Sequence, residues 1–184
     1  MSAVDAREVT RTAGRRGSRL LAFAVFVAGW SCVDVVGATP PVSAPERPAS
    51  EGAQGPARLL FQAIVEDQPA LVDTFFFPRD AFVEVKAMAR PERYWDKLHA
   101  RFAADIHALH VRTPELARAS FVRLELTARG GYVLPGEEGN KLPYWAARHA
   151  WLHYRVGDQL RKLEVRVLIT WKDTWYVIHL NEFH

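Results

Sequence analysis

Four stretches near the end of the chain, Phe121 to Arg129, Tyr144 to Val156, Leu160 to Trp171 and Thr174 to Phe183, alternate apolar and polar residues and predict successive antiparallel strands. Two of the three connections reduce to a Gly157-Asp158 or a Lys172-Asp173 pair, so two-residue turns set the cross-strand neighbours. Upstream the period becomes helical. Leu59, Leu60, Ala63 and Ile64 recur at helical spacing behind Pro56 until Asp67-Gln68-Pro69 interrupts them. A short helix through Leu71, Val72 and Phe75 is expected to end at Pro78, because the proline ring disfavours helix at the residue before it. Asp80 is placed to cap a third short helix through Phe82, Val83 and Met88. Pro91 opens the longest helix, to about His110, with Trp95, Leu98, Phe102, Ile106 and Leu109 as its core stripe. Thr113-Pro114 starts a brief helix before Ala119. Gly130 to Pro143, rich in Gly, Glu and Pro, predicts a long surface loop placed to cover a pocket mouth. Together these elements define an α+β domain, with N-terminal helices packed on a curved C-terminal antiparallel sheet of four strands and a possible fifth.

The two turns sort the sheet residues onto two faces. On one, Leu152 opposes Leu163, Ala150 opposes Val165 and then Leu180, Arg148 opposes Val167 and Ile178, and Ala146 joins Ile169 and Tyr176. This aliphatic face is expected to meet the helices, each buried side chain contributing roughly 1.5–3 kcal/mol before entropy costs. Arg148 stands apart there and needs a partner if buried. The other face reads Trp145, Thr170, Trp175; then Ala147, Leu168, Val177; then His149, Arg166, His179; then Trp151, Glu164, Asn181; then His153, Lys162, Phe183. Half-exposed sheet faces ordinarily carry such mixtures. Two histidines flanking an arginine beside a glutamate also suit proton transfer or anion binding, and large outward aromatics suit a partner surface. His149, Arg166, His179, Glu164, Trp151 and Trp175 are therefore the binding or interface candidates, on a face expected to point outward.

At the other end of the chain, Arg11, Arg15, Arg16 and Arg19 precede the apolar run Leu20 to Val27, which relaxes toward the small residues Val36-Gly37-Ala38. This is the layout of a secretory signal peptide over residues 1–38, and it predicts an exported protein. The uncharged stretch is shorter than the roughly 20 residues of a spanning helix. Membrane contact would then come only through this segment, if it stays uncleaved as an anchor or is lipidated at Cys32. Gly29-Trp30-Ser31 lacks the aliphatic residue that lipoprotein signals carry ahead of the cysteine. Cys32 is the single cysteine, so no intrachain disulfide forms. Residues 39–55 are a Pro- and Ala-rich linker too polar to fold alone. The domain proper spans 56–184, roughly 130 residues around one core.

Charge sharpens the picture by exclusion. The formal net charge of +3 shrinks once residues 1–38, with five Arg against three acids, are set aside, since 19 Lys+Arg then face 18 Asp+Glu. That balance provides no footprint for nucleic acid. No Gly-x-Ser-x-Gly, P-loop or dinucleotide fingerprint occurs. Asp105, His107 and His110 lie close on the long helix but lack a further ligand at helical spacing, and His99 reads as a solvated residue, so neither metal nor cofactor is expected.

Short helices, one longer helix, then a meander ending in Asp-Thr-Trp-Tyr-Val-Ile at 173 to 178 resemble the nuclear transport factor 2-like group of cone-shaped α+β domains. The resemblance spans roughly Pro56 to His184, with Ala63 to Phe77 and the closing Trp175 strand as its specific parts. It implies a pocket between sheet and helices, frequent dimerisation through the outer sheet face, and no single activity. It also implies a strand among the helices, for which Phe82 to Val85 is the alternative to a third helix. No catalytic motif of the group matches residue by residue. The leading expectation is an exported non-catalytic domain that binds a small ligand or a protein partner, as a homodimer through the Trp- and His-bearing face. The alternative is an acid–base enzyme, isomerase or dehydratase in type, whose pocket wall would hold Tyr144, Arg148, Tyr154 and Tyr176.

Overall fold

The computed structural model describes residues 43–181. The signal-peptide reading of residues 1–38, Cys32, the first linker residues and Phe183 lie outside the described residues. Helix α1 (Gln54–Glu66) ends where Asp67 turns left-handed at φ 53°, the break expected at Asp67-Gln68-Pro69. Pro69–Phe75 then forms a 3-10 turn rather than an α-helix. Phe76-Phe77 runs extended beside the last strand, with the Phe77 N–H donating to Val177 O at 3.0 Å. Helix α2 (Arg79–Val85) starts behind Pro78, so Phe82 to Val85 is helix and not strand. Helix α3 (Pro91–Arg112) buries Leu98, Phe102, Ile106 and Leu109, with Trp95 at its edge. A further 3-10 turn, Pro114–Arg118, leads into the sheet.

The sheet has five antiparallel strands, β1 (Ala119–Glu125), β2 (Gly130–Val133), β3 (Tyr144–Val156), β4 (Gln159–Trp171) and β5 (Thr174–His179). Their order is β1-β3-β4-β5, and β2 pairs with the first four residues of β3 on the edge that β1 shares further along. Strand β2 occupies the front of the stretch expected to be loop. Gly130 makes it possible: at φ +113° only glycine is at ease, and a Cβ there would stand 2.2 Å from Ala146 O. Both two-residue turns form, Lys172 and Asp173 each with positive φ as a type I′ turn requires.

The β3–β4 register matches the expected pairs, Ala146 with Ile169 through Leu152 with Leu163. One irregularity interrupts it. His149 adopts φ 57°, an uncommon state for a residue with a side chain, where the edge partner of β3 changes from β2 to β1, and the ladder skips His149 and Arg166. The β4–β5 register holds from Trp171–Thr174 to Leu168–Val177, then slips so that Val167 faces His179. Ile178 is the extra residue of a β-bulge, and everything beyond it changes face.

The core includes Leu60 and Ile64 of α1, Phe75, Phe76 and Phe77, Phe102 and Ile106 of α3, and Ala150, Leu152 and Val165 of the sheet, all nearly inaccessible. Helix α1 reaches β1 and β3 through Phe61, whose ring lies 6.1 Å from Phe121 and 6.0 Å from Tyr154. Among the described residues no helix is long and apolar enough to cross a membrane.

Candidate functional site

Between α2, the start of α3 and the facing side of the sheet lies a cavity of about 500 Å³. Phe82, Met88, Tyr94 and Leu98 wall it on the helix side, and Val167, Ile169 and Ile178 on the sheet side. Its polar lining is Lys86, Glu138, Tyr144, Arg148, Arg166 and His179. An apolar chamber with a few convergent polar groups is the usual form of a small-molecule site.

Each polar side chain arrives by a separate local cause. Lys86 follows the last turn of α2, where the Ala87 N–H donates to Gly139 O at 2.7 Å and the Lys141 N–H to Val85 O at 2.6 Å. Those bonds pin the 134–143 loop to α2. Buried Asn140 holds the loop from within, donating from Nδ2 to Leu134 O and Leu142 O and accepting from the Glu138 N–H. Glu138 is thereby a fixed part of the wall, and the loop does cover one end of the cavity. Tyr144 and Arg148 project from β3 on the side that also carries Ala146. His179 enters only because of the Ile178 bulge.

These groups form one network. The Tyr144 hydroxyl donates to Glu138 Oε2 at 2.8 Å and accepts from Lys86 Nζ at 2.7 Å. Arg148 Nη2 pairs with Glu138 Oε1, so Arg148 has the partner its place demanded. Burial lowers the Lys86 pKa against the pull of Glu138, with Arg148 adding to the lowering. Burial raises that of the Tyr144 phenol, and the Glu138 carboxylate raises it further. His179 is pushed down to about 4 by burial, then by the positive charges of Lys86 and Arg148. At neutral pH the site thus holds a neutral imidazole and a protonated phenol, beside three basic residues, Lys86, Arg148 and Arg166, and one acidic residue, Glu138.

The expected outward triplet of His149, Arg166 and His179 is corrected. The bulge turns His179 to the side of Val167, into the cavity. Arg166 also lines the cavity, while its Nη1 lies 3.4 Å from His149 Nδ1 and 3.5 Å from Glu164 Oε1. His149 Nδ1 contacts Glu164 Oε1 closely on the opposite face. Trp151 sits there opposite Glu164 with Lys162 Nζ 3.9 Å above its ring, and remains half-buried. Trp175 is no surface residue. It is 2% exposed, donates from Nε1 to Pro48 O at 3.0 Å, and lies under the Arg47 guanidinium.

Of the four wall candidates, Tyr144 and Arg148 line the cavity. Tyr154 belongs to the Phe61 cluster, its hydroxyl near Glu115, and the Tyr176 ring packs 5.7 Å from Phe77. The helix histidines are structural: His99 stacks on Trp95 and meets Asp73, His107 meets Asp67, and His110 Nδ1 lies 3.0 Å from Ile64 O. Among the described residues no group of three His, Cys, Asp or Glu stands ready for a metal. Sequence reasoning missed Lys86 and Glu138. Lys86 lies 58 positions from Tyr144, and the only hint was the loop expected over a pocket mouth.

Fold and site together define an α+β domain with a cation-rich internal cavity. No family model, curated protein or solved structure matches the chain, so its function rests on this geometry.

Proposed function

We propose that this is an exported domain that binds a small organic anion in the cavity, with the anionic head against Lys86 and Arg148 and an apolar body against Phe82, Leu98 and Ile178. The observation that supports it is the charge of the lining: Lys86, Arg148 and Arg166 stand with one carboxylate, Glu138, in a chamber walled also by Phe82, Leu98, Val167, Ile169 and Ile178. A second anion there meets donors already partly buried and oriented, where a charge-assisted hydrogen bond is worth about 1.5–3 kcal/mol. This reading keeps the small-ligand expectation and moves it from the outer sheet face to the cavity. The likeness to the cone-shaped nuclear transport factor 2-like group is part of the proposal, as is association with a second copy through Trp151 on the outer face.

Calorimetry with benzoate tests it. Benzoate is expected to bind, benzamide to bind at least about tenfold more weakly, and Arg148→Ala to remove that preference. Equal binding of the two compounds, or none of either, would sink the anion reading.

An acid–base enzyme is the second reading, supported by the opposed shifts of His179 and Tyr144 within one cavity. In heavy water such an enzyme would exchange the α-hydrogens of acetophenone faster than buffer does, as followed by NMR. Exchange at the buffer rate removes this reading.

A further inference from the structure

A second cavity of about 240 Å³ adjoins the first and shares Tyr94, Leu98 and His179 with it. Beyond that common wall it is lined by Lys97 and Arg101 of α3, with the buried Asp105 beneath them. Arg101 meets Asp105 through Nε at 3.4 Å, which leaves the Nη edge of the guanidinium outside that contact. Basic residues outnumber carboxylates here, Lys97 and Arg101 to Asp105, as they do in the first cavity, where Lys86, Arg148 and Arg166 stand with Glu138 alone. The wall between the ends is apolar or neutral, since Tyr94 and Leu98 carry no charge and His179 is held uncharged at neutral pH. From Tyr94 to Arg101 the helix advances about 10 Å. The two cationic groups thus flank one shared wall of Tyr94, Leu98 and His179.

We propose that the ligand is an elongated dianion, one anionic head held at Lys86 and Arg148, the other at Lys97 and Arg101, with an apolar body lying along Tyr94, Leu98 and His179. This rests on the anion reading above and specifies its substrate class. A monoanion satisfies only one of the two groups. The second head gives the outer cavity a role that packing does not explain, because Lys97 and Arg101 frame open space there rather than filling it.

Octanedioate and octanoate are the probes, titrated calorimetrically into the full domain. Octanedioate is expected to bind about tenfold tighter than octanoate, the effect of one added charge-assisted contact. The double variant Lys97→Ala, Arg101→Gln should erase this preference. Lys97→Ala alone, which leaves the Arg101–Asp105 contact in place, should reduce it severalfold, and Arg148→Ala should weaken both ligands. Equal affinities for the two probes, or a preference that survives the double variant, overturn the dianion while octanoate binding still upholds the anion site. Failure of both probes and of benzoate overturns the two readings together.

Discussion

The two sides of the sheet carry the same kinds of residue and hold them in different states. In the cavity, burial is the largest cause of the pKa shifts at Lys86, Tyr144 and His179. On the opposite face His149 meets Glu164, and His153 meets Glu125 at 2.9 Å. There the Glu125 pKa is lowered chiefly by hydrogen bonds from Arg123 and then His153, with burial opposing only weakly. Residue type is common to both sides; the leading cause separates them, burial at Lys86, Tyr144 and His179 and hydrogen bonding at Glu125. A neutral imidazole beside two cations is costly to charge, whereas each of the outer imidazoles faces a carboxylate.

The outer face itself divides, and Trp175 and Trp151 show how sharply. Trp175→Ala is expected to cost about 3–5 kcal/mol, because it empties a packed position beneath Arg47 and Pro48. Trp151→Ala should cost less than about 1.5 kcal/mol, since its ring is half-exposed beside Lys162. Urea unfolding of both variants measures the gap; similar losses would mean that the outer face is covered throughout. Sedimentation of Trp151→Ala serves the proposed homodimer at the same time, with an unchanged association state counting against it.

The contrast between cavity and surface is next tested by pH. The folded-state pKa of His179, about 4, lies below its ordinary 6.5, so the native state binds this proton less readily than the unfolded chain. Its stabilising contribution is complete above about pH 6.5 and is lost as pH falls through about 4. The loss should be on the order of 2 kcal/mol after allowance for partial exposure, and His179→Gln should flatten that part of the stability profile. An unchanged profile would place His179 in water, and the distinction between the two sides would fall.

The smallest expected effect belongs to Glu125. Its depressed pKa adds stability above the ordinary value of 4.5 that fades as pH falls through the folded value. In His153→Gln the Glu125 midpoint, followed by NMR, should rise only partway toward 4.5, because the larger contribution of Arg123 remains. A full return would make His153 the dominant partner.

Much of this architecture was legible in the chain because its causes are local. The Lys172-Asp173 and Gly157-Asp158 turns, the α3 stripe and the isolated position of Arg148 each follow from neighbours a few residues apart. Strand β2 was hidden because its four residues sit in a Gly-rich stretch and pair with a strand that begins eleven positions after β2 ends. Lys86 and Glu138 were hidden for the same reason on a larger scale. Each is an unremarkable polar residue until backbone bonds tie the loop to the end of α2 and bring both against Tyr144.

By itself, then, the sequence determined the α+β class, the helix-then-sheet order, the β3–β4 register and the placing of Tyr144 and Arg148 on the helix-facing side, all consequences of periodicity and turn chemistry. Only the tertiary structure decided where His179 points. Side chains alternate with a period of two, so the single extra residue at Ile178 moves His179 from a presumed surface into the cavity, and no local pattern announces that residue.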